Sequence, residues 1–132
     1  MAKLKIGSVY FVRVGDHVKV GFTTSLKRRL AEIQTCNPYP LEFLAVISQA
    51  TPSLEGVFHR IWRGRRAQGE WFWLGAEVTH VIDAIIAGAQ PRNAAQVRAL
   101  LPKKEIRRKR ILRKIKQRQY FEDVAEQRSY GV

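Results

Sequence analysis

The sequence predicts an α+β fold: a small three-stranded, mainly antiparallel sheet flanked by helices, followed by a basic helical extension at the C-terminus. Three observations carry this. Two β-branched and aromatic runs, residues 8–14 and 17–22, are separated only by Gly15-Asp16, the spacing of an antiparallel hairpin. Apolar residues recur at helical spacing behind two capping stretches, Thr23-Thr24-Ser25 and Thr51-Pro52-Ser53. Residues 103–118 hold ten Lys or Arg against one acid, Glu105, in a chain of net charge +13.

The elements follow in order. The run Ser-Val-Tyr-Phe-Val-Arg-Val, bounded by Gly7 and Gly15, is the first strand, and residues 17–22 form the second. Leu26, Leu30 and Ile33 mark one face of a helix that stops before Asn37-Pro38, because proline disfavours helical geometry in the residue before it. Residues 41–47 give a third strand. Pro52, in the first turn, opens a second helix with Leu54, Val57, Phe58, Ile61 and Trp62 on its apolar side. Residues 64–69 read as a basic loop, and Glu70-Trp71-Phe72-Trp73-Leu74 as a short aromatic strand or turn within a small hairpin-like piece. Residues 76–87 form a third helix. Gly88 and Pro91 bound a linker, and Asn93 caps the start of a fourth helix. The domain reading is therefore 1–88 as the folded unit, 89–102 as linker and helix start, and 103–132 as a basic helical tail.

Composition narrows the function classes. With 24 Lys+Arg against 11 Asp+Glu, the chain carries a field that favours polyanions, nucleic acid before membrane surface. The tail contributes +9, and the rest of the chain, with 14 basic and 10 acidic residues, only +4. A single cysteine, Cys36, excludes an internal disulfide framework and a thiolate zinc site. The longest apolar stretch, residues 81–89, is too short to span a bilayer, and the first residues lack the apolar run of a signal peptide. These features predict a cytoplasmic protein that binds nucleic acid and no membrane.

Several side chains could carry chemistry. Tyr10 lies on the first strand, with Lys19 and Gly21 beside it on the second. Arg28 and Arg29 follow in the first turns of a helix whose N-terminus would favour an anion. Glu55 and His59, four residues apart, share one face of the second helix and can aim a carboxylate and an imidazole at one metal or one water. Mg²⁺ needs only one or two protein carboxylates, because water and phosphate complete its shell. Each residue also has a plainer reading. Tyr10 suits a half-buried strand, Glu55 suits a first helical turn, and Arg28 and Arg29 suit a solvated helix face. Trp71, Phe72 and Trp73 read as packing before they read as a base-stacking platform.

The ordered combination is more specific than its parts. Val9-Tyr10, then residues 18–23 (Val-Lys-Val-Gly-Phe-Thr), then residues 26–30 (Leu-Lys-Arg-Arg-Leu) resemble the GIY-YIG nuclease superfamily over about residues 6–86. Residues 19–23, 35–38, the Glu55/His59 pair and residues 69–72 (Gly-Glu-Trp-Phe) are similar to its phage and bacterial branch of the meiotically up-regulated gene type. The resemblance implies a GIY-YIG-like fold and a divalent-metal-dependent endonuclease hydrolysing nucleic-acid, DNA before RNA, with Mg²⁺ or Mn²⁺ as cofactor. It implies that Tyr10 orients or activates the attacking water, Arg29 contacts the scissile phosphate, Glu55 binds the metal and Gly21 permits close approach. Lys19 stands where the family has its second tyrosine, and a lysine can bind phosphate as a point charge or take a proton if its pKa falls. The usual histidine at the end of the first helix is replaced by Gln34-Thr35, so His59 becomes the candidate proton-transfer group.

The catalytic set expected from these readings is Tyr10, Lys19, Arg29, Glu55 and His59, with Glu55 as metal ligand. Nucleic-acid contacts are assigned to Arg28, Arg66, Lys103, Lys104, Arg107, Arg108, Arg110, Arg113 and Lys114, with Arg66 and Glu70 lining the groove or orienting each other. Two alternatives stay open. One is a catalytically inactive nucleic-acid-binding module. The other is a protein-interaction adaptor that docks, or forms a homodimer, through the C-terminal helix and its apolar set Ile111, Leu112 and Ile115.

Overall fold

The structure, a computed structural model, describes residues 5–102, 115–119 and 122. Strand β1 (Gly7–Val14) turns through Gly15-Asp16 into β2 (His17–Thr23). Gly15 has φ 59°, the left-handed conformation that a two-residue hairpin turn requires and glycine adopts without a Cβ clash. Helix α1 (Leu26–Thr35) follows, then β3 (Glu42–Ala50), α2 (Pro52–Ile61), one 3₁₀ turn (Arg63–Arg65), β4 (Arg66–Gln68), β5 (Trp71–Trp73), α3 (Ala76–Ile86) and α4 (Ala94–Ala99).

The sheet has five strands, not three, in the order β3-β1-β2-β5-β4, and every pairing is antiparallel. The two extra strands come from the stretch read as a basic loop and from the aromatic run after it. They form a second hairpin around Gly69-Glu70, with Gly69 at φ 57°. The aromatic run was expected as a strand or turn of a hairpin-like piece, but β4 and the joining of both strands to the sheet were not, because three-residue strands are too short to show alternation.

Alternation along β1 assigns the two faces. Val9 and Phe11, with Val18, Val20, Ile47 and Phe72, face the main core, which α2, α3 and α4 cover through Leu54, Phe58, Val81, Ile85 and Val97. An aromatic cluster anchors it. Phe11 meets Phe58 edge-on at 5.0 Å, and Trp62 lies 6.0 Å from Phe11 and from Phe72. Tyr10 and Val12 point the other way and pack with Ile33, Leu26 and Leu30 of α1. The sheet is thus sandwiched, and Tyr10 lies on the α1 side.

The folded unit extends past the boundary at 88. Val97 of α4 is fully buried in the main core, Leu100 and Leu101 pack against it, and the compact unit ends at Leu101. The intervening linker is tied to the exposed edge of β3. The Gln90 side-chain amide accepts from Ser48 N–H (3.2 Å) and donates to the Val46 carbonyl (3.3 Å), and Arg92 donates to the Ser48 and Gln49 carbonyls. These bonds occupy edge groups that would otherwise be open to another strand. Asn93 caps α4 as expected, its side chain accepting from Gln96 N–H at 2.9 Å. Within the tail unit, residues 115–119 are helical and exposed, and residues 103–114 lie outside the described residues. No helix among the described residues is long and apolar enough to cross a membrane.

Candidate functional site

The site forms where β2 outruns its neighbour. Strand β5 pairs with β2 only from His17 to Lys19. Beyond that point the outer edge of β2 carries polar backbone groups that no strand satisfies, and such groups require partners. Three are supplied. Val20 N–H donates to the Glu70 carbonyl at 3.3 Å, the Val20 carbonyl meets His59 Nε2 at 3.0 Å, and Phe22 N–H bonds the Glu55 carboxylate. Two side chains of α2 therefore do the work of a missing strand, and this fixes Glu55 and His59 at the sheet edge. A carbonyl can only accept, so His59 Nε2 carries the proton. The same nitrogen lies 3.5 Å from Glu55 Oε1.

From the α1 side come Tyr10 and Arg29. Tyr10 is opposite Gly21 in the β1–β2 register, and its ring lies over that glycine, where any Cβ would overlap the hydroxyl. Its side chain is buried, and the hydroxyl accepts from Arg29 Nε at 3.3 Å. Burial pushes the Tyr10 phenol above its ordinary pKa of 10.0, which outweighs the opposite pull of the Arg29 bond and charge. Tyr10 is therefore a neutral phenol at physiological pH. Arg29 also reaches Glu32 at 3.3 Å. Arg28 pairs with the same Glu32 but is far more exposed, so the two adjacent arginines are not equivalent.

Lys19, on the Tyr10 face, pairs with Glu70 at 3.2 Å and stands over the Trp71 ring, 5.6 Å from its centroid. Arg66 does not orient Glu70; it lies over the Phe72 ring. Glu70, at the tip of the second hairpin, also bonds Glu55 through the side chain. Burial first, and then Glu70, pushes the Glu55 carboxyl above its ordinary value, against the opposing pull of His59 and Phe22 N–H. A hydrogen bond between two carboxyl groups needs a shared proton, and a divalent cation can take that proton's place.

The structure thus gathers Tyr10, Lys19, Arg29, Glu55 and His59 at one sheet edge and adds Glu70. That residue was expected to line the groove or to pair with Arg66. The signal that would have placed it is the Gly-acid turn, since Gly69-Glu70 repeats the Gly15-Asp16 pattern of the first hairpin. Gln34 has no place at the site. Its side chain holds the turn after α1, bonding the Tyr39 carbonyl and Leu41 N–H. Arg28 and Arg66 lie on the surface. Lys103, Lys104, Arg107, Arg108, Arg110, Arg113 and Lys114 lie outside the described residues, as do Ile111 and Leu112.

An α+β domain that sets a strand tyrosine and a helical arginine against two carboxylates has the makings of a nuclease-like domain. Comparison with known families bears this out: residues 7–90 match the model of the T5orf172 domain, and the chain belongs to that family, a GIY-YIG-related group of nuclease-like domains. No curated protein and no solved structure matches the chain.

Proposed function

We propose that the protein is a divalent-metal-dependent endonuclease of the GIY-YIG type, acting on nucleic acid and on DNA in preference to RNA. The observation that carries this reading is the convergence of Tyr10, Arg29, Glu55 and Glu70 at the uncovered edge of β2. The pattern of residues 19–23, Glu55 with His59 and residues 69–72 supports the phage and bacterial branch named above.

No group of three or more His, Cys, Asp or Glu with the arrangement of a metal site occurs among the described residues. Mg²⁺ or Mn²⁺ does not require one, because one or two carboxylates with water and phosphate suffice. Glu55 would hold the ion with Glu70 beside it, and the paired carboxyls suit a hard cation. When bound, the ion supplies a positive charge that stabilises developing negative charge on the phosphate and leaving oxygen.

The remaining steps belong to the chain. Arg29 donates to a phosphate oxygen and to Tyr10, so the guanidinium fixes both in one geometry. Tyr10 stays protonated, and it orients an attacking water by hydrogen bonding instead of deprotonating it as a phenolate. His59 commits Nε2–H to the Val20 carbonyl with Glu55 Oε1 3.5 Å away, so its role is to position Glu55, and only Nδ1 is left to accept a proton. Lys19 adds a positive charge beside Arg29. Arg28, Arg66 and the basic tail contribute sequence-independent phosphate contacts.

The test is cleavage of plasmid and of labelled single strands with Mg²⁺ or Mn²⁺, comparing wild type with Glu55→Ala. The reading predicts cleavage by wild type alone, whereas equal cleavage by the variant removes Glu55 from the chemistry. A second reading, an inactive binding module, is favoured by one observation: Lys19 replaces the second signature tyrosine and is ion-paired with Glu70. Metal-independent binding without cleavage of any strand would select it.

A further inference from the structure

Two cavities adjoin the site on the α1 face. One, of about 540 Å³, is bounded by Lys19, Arg29, Glu32 and Trp71. The other, of about 350 Å³, is bounded by His17, Gln68, Trp71 and Trp73. Both are lined by Trp71 and Asn37, so they form one groove leading away from Arg29. We propose that this groove seats a nucleobase of an unpaired strand, stacked on Trp73 and met at its edge by the Asn37 and Gln68 amides. The site then acts on single-stranded or locally unpaired nucleic acid. This rests on the nuclease reading for the placement of the phosphate at Arg29.

The aromatic triplet divides in a way that packing alone does not require. Phe72 is fully buried in the core, whereas Trp73 is 48% exposed at the groove. The His17 ring lies against Trp73 at 4.2 Å between centroids, tilted by 42°, and holds the indole from one side. A base offers a π-face to such a platform only when it is unpaired and unstacked, because in a duplex its neighbours cover that face.

The polar edge is complementary. Asn37 Nδ2 is fixed on the Ile33 carbonyl at 2.9 Å, which leaves Oδ1 as an acceptor. The Gln68 amide is exposed and can both donate and accept. Charge falls at the phosphate end, with Lys19 and Arg29. Spacing agrees as well. Trp71 is level with Lys19 and Trp73 with His17, two residues further along β2. Two residues advance about 6.7 Å, roughly twice the 3.4 Å rise of a stacked strand, a spacing that suits an extended strand with its bases apart.

The test measures equilibrium binding and tryptophan quenching of the full chain in EDTA at fixed salt. The probes are an oligothymidine, its RNA counterpart, the same strand annealed to its complement, and an abasic strand of equal length. Wild type should bind either single strand more tightly than duplex or abasic strand, and either sugar satisfies the proposal because the contact is to the base. Trp73→Ala should weaken single-strand binding by about 5- to 150-fold with duplex binding unchanged, and Trp73→Phe should restore most of it. Gln68→Ala, at an exposed position, should give a smaller loss without any change in melting temperature. Abasic strands binding as tightly as intact ones, or Trp73→Ala binding single strands like wild type, would overturn the proposal. Glu55-dependent cleavage that ignores Trp73 and strandedness defeats the groove and leaves the nuclease standing. Stacking without cleavage of any strand does the reverse.

Discussion

Gly21→Ala tests how the site is built, because its effect follows from one contact. The added Cβ would overlap the Tyr10 hydroxyl and Cζ and come within 2.8 Å of Cε1. Tyr10 is 1% exposed and held by Arg29, so the ring has no free direction in which to yield. Overpacking of this kind costs about 2–3 kcal/mol, near the top of its usual range. The lower entropy of an unfolded chain with alanine in place of glycine returns ~0.4–1 kcal/mol. The net destabilisation, roughly 1–2.5 kcal/mol, lowers the melting temperature of a domain this size by roughly 4–20 °C. Thermal unfolding followed by circular dichroism measures it, and Tyr10→Phe, which removes the nearest atom, should recover part of the loss in a double-mutant cycle. On the proposed mechanism cleavage should fall as well, since the displaced ring is the one proposed to orient the water. A variant that melts and cleaves like wild type would refute the placement of Tyr10 over Gly21.

Other outcomes follow from the same geometry. The folded pKa of Glu55 lies above its ordinary 4.5, so between those values the folded state holds a proton that the unfolded state has lost. Wild-type stability should therefore fall as pH rises through that window, and metal-free Glu55→Gln should melt higher than wild type above it, with Mg²⁺ or Mn²⁺ stabilising only wild type. Asn93→Ala removes the cap of a helix that is part of the core and should cost about 1 kcal/mol, read as a melting shift; no shift would return α4 to the status of a linker. Deleting residues 103–132 should leave the domain folded, weaken DNA binding and flatten its salt dependence. If all ten cations of residues 103–118 contact phosphates of a single strand, the slope of log K against log salt falls by up to about 7, whereas a change in oligomeric state alone would favour the adaptor reading.

Much of this arrangement was legible in the sequence. The β1–β2 hairpin shows in alternation around Gly15-Asp16, and α1 and α2 show in Leu26/Leu30/Ile33 and Leu54/Val57/Phe58, because long periodic segments announce their partners. The Tyr10–Gly21 pairing is a consequence of that hairpin's register. The rest depends on non-local contacts that no local pattern encodes. β4 and β5 are three residues each, and their hairpin gains its place when β5 docks on β2, so the sheet looked three-stranded. Val97 sits in a six-residue helix with one buried position, too little to distinguish core from linker. Glu70 could be seen as a turn residue, but its meeting with Lys19 and Glu55 depends on that docking. The bond from His59 to the Val20 carbonyl likewise depends on where β5 stops.

On the proposed reading, Glu55, Tyr10 and Arg29 perform phosphodiester hydrolysis together. The most direct measurement is single-turnover cleavage of a labelled oligonucleotide, with enzyme in excess and Mn²⁺ present, for wild type, Tyr10→Phe, Arg29→Ala and Glu55→Gln. Because excess enzyme removes differences in binding, the rates report the chemical step. Each variant should fall by about 10²-fold or more, with Glu55→Gln still binding the strand. A Glu55→Gln protein that cleaves at the wild-type rate would contradict it.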